Sequence, residues 1–336
     1  MSHLNRRHCR TSQSARATAL ATFFLASLPL VLLADGTETL PTPEWAIPKE
    51  GPESARKAEG KVTLPGSDLA LTPEQINDPF ETPDWYPEEH TPMPPIVKNG
   101  SEPDIWACAM CHLASGNGHP QSARLAGNAA EYLARQLAAF KAGDRRSYLG
   151  AFIDDLHSIE DDADAMSAAE WFASLATRQH QEVIETDTVP VTTFDGRSFM
   201  RIIAEGANGS VALEPIDGRI IEVPKNYAEI KARSPRGIFL TYVPRGSVEA
   251  GKRIATQGVR NIAPCSSCHG MDLEGTALGP ALAGAFPTYV VRQLYDFQNG
   301  KREGLADTTG YMSSTSKLLT ADEIVHVAAY IGSLAP

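Results

Sequence analysis

The chain has 336 residues, with 41 Asp and Glu against 30 Lys and Arg and a formal charge of −11 at pH 7. That balance argues against nucleic acid as a partner and for a partner with a basic docking face. Of five cysteines, four sit in two C-x-x-C-H motifs, so no disulfide framework is available, and the length suggests two domains.

Arg6, Arg7, Arg10 and Arg16 make a positive region ahead of an apolar run over residues 17–33. The run is short for a membrane-spanning helix and fits a secretory signal over residues 1–34, cleaved soon after Ala34. An uncleaved membrane anchor is the rival, and either puts the remainder in the periplasm. Removal of 1–34 takes away Cys9, four arginines and no carboxylate, moving the formal charge from −11 to −15. Half of the 24 prolines fall between Asp35 and Pro95, and residues 35–93 read as a Pro-rich extended arm. Residues 35–66 suit a disordered tail or linker. A solvated linker rarely spends Trp85 and Tyr86, so the later part of the arm is expected to lie along a domain.

The motifs are Cys108-Ala-Met-Cys111-His112 and Cys265-Ser-Ser-Cys268-His269. C-x-x-C-H is the attachment signal for a c-type haem. Two cysteines one helical turn apart can each form a thioether to a haem vinyl group, and the histidine after them stands against the iron as proximal ligand. Two covalently bound haems c are expected. Zinc or thiol-redox chemistry also uses C-x-x-C, but the trailing histidine in both copies and their shared flanks speak against it.

A shift of 157 carries the first motif onto the second, and with it Leu125-Ala-Gly127 onto Leu282-Ala-Gly284, Tyr132 onto Tyr289, Arg135-Gln-Leu137 onto Arg292-Gln-Leu294, Phe140 onto Phe297 and Gly143 onto Gly300. After two extra residues Trp171 meets Tyr330 and Ser174-Leu175 meets Ser333-Leu334. One fold is used twice, over residues 94–180 and 246–336. Asn128 is the expected cap of a helix ending at Gly143, and Thr288 to Asn299 repeats it. Ser247 opens a helix past Gly251, a residue small enough for close crossing. Thr320-Ala-Asp-Glu323 is a capping box before Ile324, Val327, Ala328 and Ile331 on one face. Between the copies, residues 181–245 hold β-rich runs near 189–194, 199–203, 211–213, 219–223 and 237–243. They read as a linker packing the domains together, with a partner-docking insert as the alternative.

The arrangement resembles class I cytochrome c, in the tandem two-haem form related to cytochrome c4, over about Pro94–Leu175 and Ser247–Leu334. The resemblance implies a mainly α protein: two cytochrome c domains, a β-rich or irregular connecting segment, and the extended arm in front. It implies a helix before each haem motif that crosses the terminal helix. It makes Met312 the distal ligand opposite His269, with the Pro280 carbonyl accepting the His269 ring hydrogen. The first copy departs from the pattern. Counted back from Trp171, Phe152-Ile153 falls on Tyr311-Met312, so the methionine is replaced. His157 is the first candidate for the sixth ligand; Met166 reads as core, His119 and Met110 are poorly placed, and an open position is the remaining option. Bis-histidine ligation would set the first potential below the second. Asp154, Asp155, Glu160, Asp161, Asp162 and Asp164 around His157 read as a solvated loop and helix start, with a docking or metal site as the alternative. Electron transfer between redox proteins is the implied function, including peripheral association with respiratory complexes at the membrane. The alternative is a dihaem enzyme, peroxidase- or thiosulfate-dehydrogenase-like, working at the first haem.

Overall fold

The computed structural model describes residues 41–51, 60–148, 150–196, 199–206 and 208–336. The expected signal over 1–34 lies outside them. Among the described residues no helix is long and apolar enough to cross a membrane.

The arm opens on a single turn, Glu44–Ala46, whose Ala46 is buried in the core of the second copy, so residues 35–66 are not wholly the disordered tail or linker expected, because apolar Trp45 and Ala46 find a core to pack on. A short antiparallel pair follows, β1 (Val62–Thr63) and β2 (Ala70–Leu71), and one helical turn, α1 (Pro73–Ile76). Thr72 and Gln75 cap α1 reciprocally, with Pro73 in the first turn where its missing N–H costs nothing. Trp85, 1% exposed, packs with Leu64, Ile76, Tyr86 and Ala232. Its Nε1 donates to the Ala232 carbonyl (2.8 Å), so an indole that large is buried with its one donor satisfied.

The first copy holds α2 (Pro95–Lys98), α3 (Ala109–His112), α4 (Ala130–Ala142), α5 (Ala151–Leu156) and α6 (Asp162–Ala173). Ile96, Val97, Leu133, Ile159, Trp171 and Phe172 form its core. The α4 helix stops at Gly143, which takes the left-handed conformation (φ 78°) that a β-carbon disfavours. Its start differs from expectation. Ala129, not Asn128, holds the cap position, without a side-chain bond. Asn128 is turned elsewhere: its Oδ1 accepts from the Ala281 N–H (3.1 Å) and its Nδ2 donates to the Leu125 carbonyl (3.2 Å), tying one copy to the other.

Then follow β3 (Gln181–Thr186), β4 (Thr188–Pro190), β5 (Thr192–Asp195), β6 (Met200–Ile203), β7 (Leu213–Pro215), β8 (Ile221–Pro224), α7 (Tyr227–Lys231) and β9 (Phe239–Pro244). β9 is the centre of a three-stranded sheet, parallel to β3 and antiparallel to β8. Its side chains alternate between buried and half-buried, the period of two that a pleated strand imposes. The pairs β4–β7 and β5–β6 are separate antiparallel ribbons.

The second copy holds α8 (Ser247–Gln257), α9 (Ser266–His269), α10 (Pro287–Gln298), α11 (Tyr311–Ser316) and α12 (Ala321–Ser333). The Thr320 capping box forms in both directions: Glu323 N–H to Thr320 Oγ1 (3.3 Å) and Thr320 N–H to Glu323 Oε2 (2.9 Å). Ile324, Val327, Ala328 and Ile331 are buried along one face of α12. At Gly251 the two backbones approach so closely that a methyl group would overlap the His326 carbonyl and press on the Tyr330 β-carbon.

Candidate haem sites

In the second copy Cys265 stands at the start of α9, and the His269 N–H bonds the Cys265 carbonyl (3.0 Å). That single turn brings both cysteines and the histidine together. His269 is 6% exposed, and its Nδ1 lies 2.8 Å from the Pro280 carbonyl. A nitrogen facing a carbonyl carries the hydrogen, which leaves the lone pair on Nε2. Burial holds the ring's pKa below its ordinary value, so it is neutral and able to ligate. Met312, half-buried on α11, packs against the cluster that also holds Cys265, Leu273 and Leu282. The Asp307 carboxylate pins that loop, accepting from Ser313 N–H (2.8 Å) and Oγ (2.7 Å) and from Met312 N–H (3.4 Å).

The first copy repeats this geometry. The His112 N–H bonds the Cys108 carbonyl (3.0 Å), and His112 Nδ1 meets the Ala123 carbonyl at 2.8 Å. Ala123 and Pro280 are 157 residues apart, like the histidines they orient. Burial lowers the His112 pKa to about 3. The sixth side is different. The α5 and α11 helices each follow a positive-φ glycine, Gly150 and Gly310, and α5 has no methionine where α11 carries Met312. His157, at the end of α5, instead reaches the pocket. Its ring stacks on Phe140 (centres 4.7 Å apart) and stands 6.0 Å from the His112 ring at an interplanar angle of 82°. Its Nδ1 faces the Ile153 carbonyl at 2.7 Å, so here too the lone pair falls to Nε2, and burial keeps the ring neutral. Two imidazoles on opposite sides of one iron, with metal–nitrogen bonds of about 2 Å, have ring centres on the order of 6 Å apart. The separation of the two rings is of that order, and Phe172 stands at the same 6.0 Å from the His112 ring.

The other candidates are placed elsewhere. Met166, read from sequence as core, is exposed on α6, because the apolar side of that helix is filled by Ala168, Ala169, Trp171 and Phe172. His119 Nδ1 is taken by Gln121 Oε1 (2.8 Å). Met110 is buried, and its carbonyl accepts from Arg233 (2.6 Å). The acidic residues near His157 serve local structure: Asp161 caps α6 (2.7 Å to Ala163 N–H), and Lys141 pairs with Glu160 (3.5 Å) and Asp162 (3.6 Å). Burial pushes the Cys108 thiol up to about 12 and the Cys265 thiol up to about 11.

The Cytochrome c family profile matches residues 248–335. Cytochrome c-552 of Acidithiobacillus ferridurans is 36% identical over 94 residues, which are 27% of this chain and 39% of that relative, so less than half of its length is spanned. Cytochrome c-554(548) of Halomonas halodenitrificans is 31% identical over 80 residues, 24% of this chain and 94% of the relative. The chain belongs to the class I cytochromes c, and it carries the C-x-x-C-H motif twice. Cytochromes of this family carry haem c covalently. A third relative, the thiosulfate dehydrogenase electron acceptor of Stutzerimonas stutzeri, is 27% identical over 241 residues, covering 71% of this cytochrome and 83% of its own length. Sequence reading aligned Gln136 with Gln293 in the cytochrome repeat but passed over Arg145 and Arg302, which share the 157-residue offset and meet those glutamines in space.

Proposed function

We propose that this cytochrome is a periplasmic two-haem carrier that passes electrons from a dehydrogenase toward a terminal acceptor. Its working parts are cytochrome domains at residues 94–180 and 246–336, joined by the segment 181–245 and preceded by the arm 35–93. Cys108 and Cys111 hold the first haem, with His112 and His157 on its iron. Cys265 and Cys268 hold the second, with His269 and Met312. When bound, each haem supplies a one-electron iron centre. The chain's own contribution is to fix the ligands: Ala123, Ile153 and Pro280 offer carbonyls that lock the imidazole tautomers, and burial keeps those rings uncharged. The thioether of Met312 favours ferrous iron more than a second imidazole does. A haem held by His269 and Met312 would therefore have the higher potential, and electrons would run toward it from the first.

The observation that carries this reading is the 6.0 Å separation of the His112 and His157 rings. It supports a filled first iron, whereas the enzyme alternative needs an open one. The relative from S. stutzeri, named as an electron acceptor, supports a dehydrogenase as donor, and the acidic surface suits a donor or acceptor with a basic docking face.

Electron paramagnetic resonance of the oxidised protein tests the assignment. Wild type is expected to show two low-spin haems and no carbon monoxide binding when reduced. His157→Ala should turn the first haem high-spin and open to carbon monoxide, and Met312→Ala should remove the near-infrared sulfur–iron band. A wild-type protein that already binds carbon monoxide rapidly would hand the first haem to the enzyme reading.

A further inference from the structure

Residues 41–51, at the front of the arm, lie as a strap across the insert and the second copy, with Trp45 and Ala46 packed on the core of that copy. The strap is held through its backbone. Arg201 on β6 donates through Nη2 to the Trp45 carbonyl (2.9 Å), and Arg292 on α10 donates through Nη1 to the Ala46 carbonyl (2.8 Å). Further on, the Gly51 N–H donates to the Gly196 carbonyl (2.9 Å), and a β-carbon at Gly51 would overlap the Phe194 carbonyl. The other ends of the two guanidiniums are already committed: Arg201 Nη1 to Thr192 Oγ1 (2.8 Å), and Arg292 Nη2 to the Pro120 carbonyl of the first copy. Neither arginine can turn to a new partner without leaving one it has.

Beneath the strap is a pocket of about 20 Å³, with Trp45 and Ala46 on one side and Glu222, Thr288, Arg201 and Arg292 on the other. It has room for about one water molecule. Glu222 is 3% exposed. Its Oε2 accepts from the Thr288 N–H (3.3 Å) and hydroxyl, while Oε1 has no hydrogen-bond partner among the described residues. The charges that face the carboxyl are Arg292 from α10 and Arg201 from β6. β9 sets Thr241 opposite it, and the first copy's loop brings the uncharged Pro120 and Gln121. The strap's own charges lie outside: Glu44 and Lys49 pair at the surface (3.3 Å), and Glu50 is exposed. A neutral carboxyl suits this place. A carboxylate could not be hydrated by one water, and it would compete for the guanidiniums that hold the strap. In agreement, burial pushes the Glu222 pKa from 4.5 up to about 7.

We propose that residues 41–51 are a latch operated by the proton on Glu222. With the proton in place the strap is docked. When the proton leaves to solvent, Arg201 and Arg292 turn toward the carboxylate, the Trp45 and Ala46 carbonyls are released, and water enters under the lifted strap. This inference concerns the arm and the insert and does not depend on which groups ligate either iron. The docked state binds the proton more tightly than the released one. Docking is therefore strongest below about pH 4.5, weakens as pH rises toward 7 and is level above that. Between those limits the docking constant falls by up to about 300-fold.

Amide hydrogen exchange of the holo-protein, corrected for the intrinsic effect of pH on exchange, tests the latch. Protection of the Gly51 amide is expected to fall by up to about 300-fold between pH 4.5 and 8, and Glu222→Gln to hold it level. Should Glu222→Gln not accumulate, Arg201→Gln serves instead. It removes a cation facing the carboxyl, so the fall should move to higher pH. A level wild-type profile, an equal fall in Glu222→Gln or an unmoved midpoint in Arg201→Gln would overturn the assignment to Glu222. The buried Ala328 on α12 is the reference for opening of the whole fold. If Gly51 exchanged as slowly as Ala328 at both pH values, the strap would not open by itself and the latch would fall.

Discussion

In the second copy α8 runs eleven residues and crosses α12 at Gly251, so the copy is packed by its own helices. In the first copy the matching helix α2 has only four residues, and Pro94 precedes it. The missing length is made up by other parts of the chain. Trp171 Nε1, on the first terminal helix, donates to the Thr91 carbonyl of the arm (3.0 Å), and His90 sets its ring edge-on to Trp171 (5.3 Å). From the connecting segment, Arg233 reaches the Met110 carbonyl inside the first motif (2.6 Å) and the Ile76 carbonyl of the arm (3.1 Å). Arm and insert thus clamp together over one attachment site. The outcome shows at paired positions: Ala114 is 5% exposed, and its counterpart Met271 is 75% exposed. Attachment chemistry fixes the backbone around C-x-x-C-H to within a residue, whereas closing a pocket needs only apolar surface of the right shape, so the two copies agree in the first and diverge in the second.

The sharpest break of this comparison is Trp85→Ala. It empties the centre of the arm–insert contact and removes the bond to Ala232, and an expected loss of about 3–5 kcal/mol follows from truncating a fully buried tryptophan. Denaturant unfolding read separately at each haem should show the first copy loosening while the second holds. Equal loss at both haems would mean that the arm supports the whole molecule.

Next in size is Glu222→Gln, where the insert touches the second copy. The Glu222 carboxylate on β8 is buried and accepts the Thr288 N–H (3.3 Å) at the start of α10. Burial pushes its pKa from 4.5 up to about 7, against the opposing pull of the Thr288 bonds and of Arg292. The folded state therefore binds this proton more tightly than the unfolded one. Stability is unpenalised below about pH 4.5, falls as pH rises toward 7, and then stays level, a penalty of roughly 3 kcal/mol. Glu222→Gln should be more stable than wild type by that order at pH 8 and indistinguishable from it near pH 4.5. Chemical denaturation at the two pH values checks both halves.

Gly251→Ala is the converse of Trp85→Ala. A single methyl would force α8 away from the His326 carbonyl, with an expected loss of about 1–3 kcal/mol confined to the second copy. The same kind of unfolding experiment should then show the second haem released first.

Much of this was legible in the chain itself. The Thr320 box, the stop at Gly143, the close pass at Gly251 and the Pro280 carbonyl all depend on residues within a turn or a fixed loop of one another, or on a side chain too small to obstruct. Asn128 shows the limit: its local pattern predicts a cap, but a partner on the other copy, Ala281, competes for the same oxygen and takes it. The short α2 was hidden because the repeat is strong on the far side of the motif and says nothing about what precedes it. Arg145 and Arg302 were in plain view at the common offset, yet their meaning depends on how two copies dock, which no local periodicity records.

The smallest effect compares how the two terminal helices begin. Asp161 alone caps α6, whereas α12 has the reciprocal box plus an ion pair from Arg260 to Glu323. The Arg260 bond, followed by the Thr320 N–H, holds the Glu323 carboxyl down from 4.5 to about 2 despite its partial burial. A depressed folded pKa contributes stability that is present above about pH 4.5 and lost as pH falls through 2. Arg260 is half exposed, so solvent screens most of the pair's attraction, and Glu323→Ala is expected to cost only about 1 kcal/mol at pH 7, cap included. Glu323→Gln keeps the reciprocal bond to the Thr320 N–H and loses the charge, so it should cost less than alanine. The difference between wild type and Glu323→Gln should shrink as pH approaches 2, while that between Gln and Ala should not. If the Gln–Ala difference vanished as well, the reciprocal cap would contribute nothing to α12, and the two terminal helices would start on equal terms.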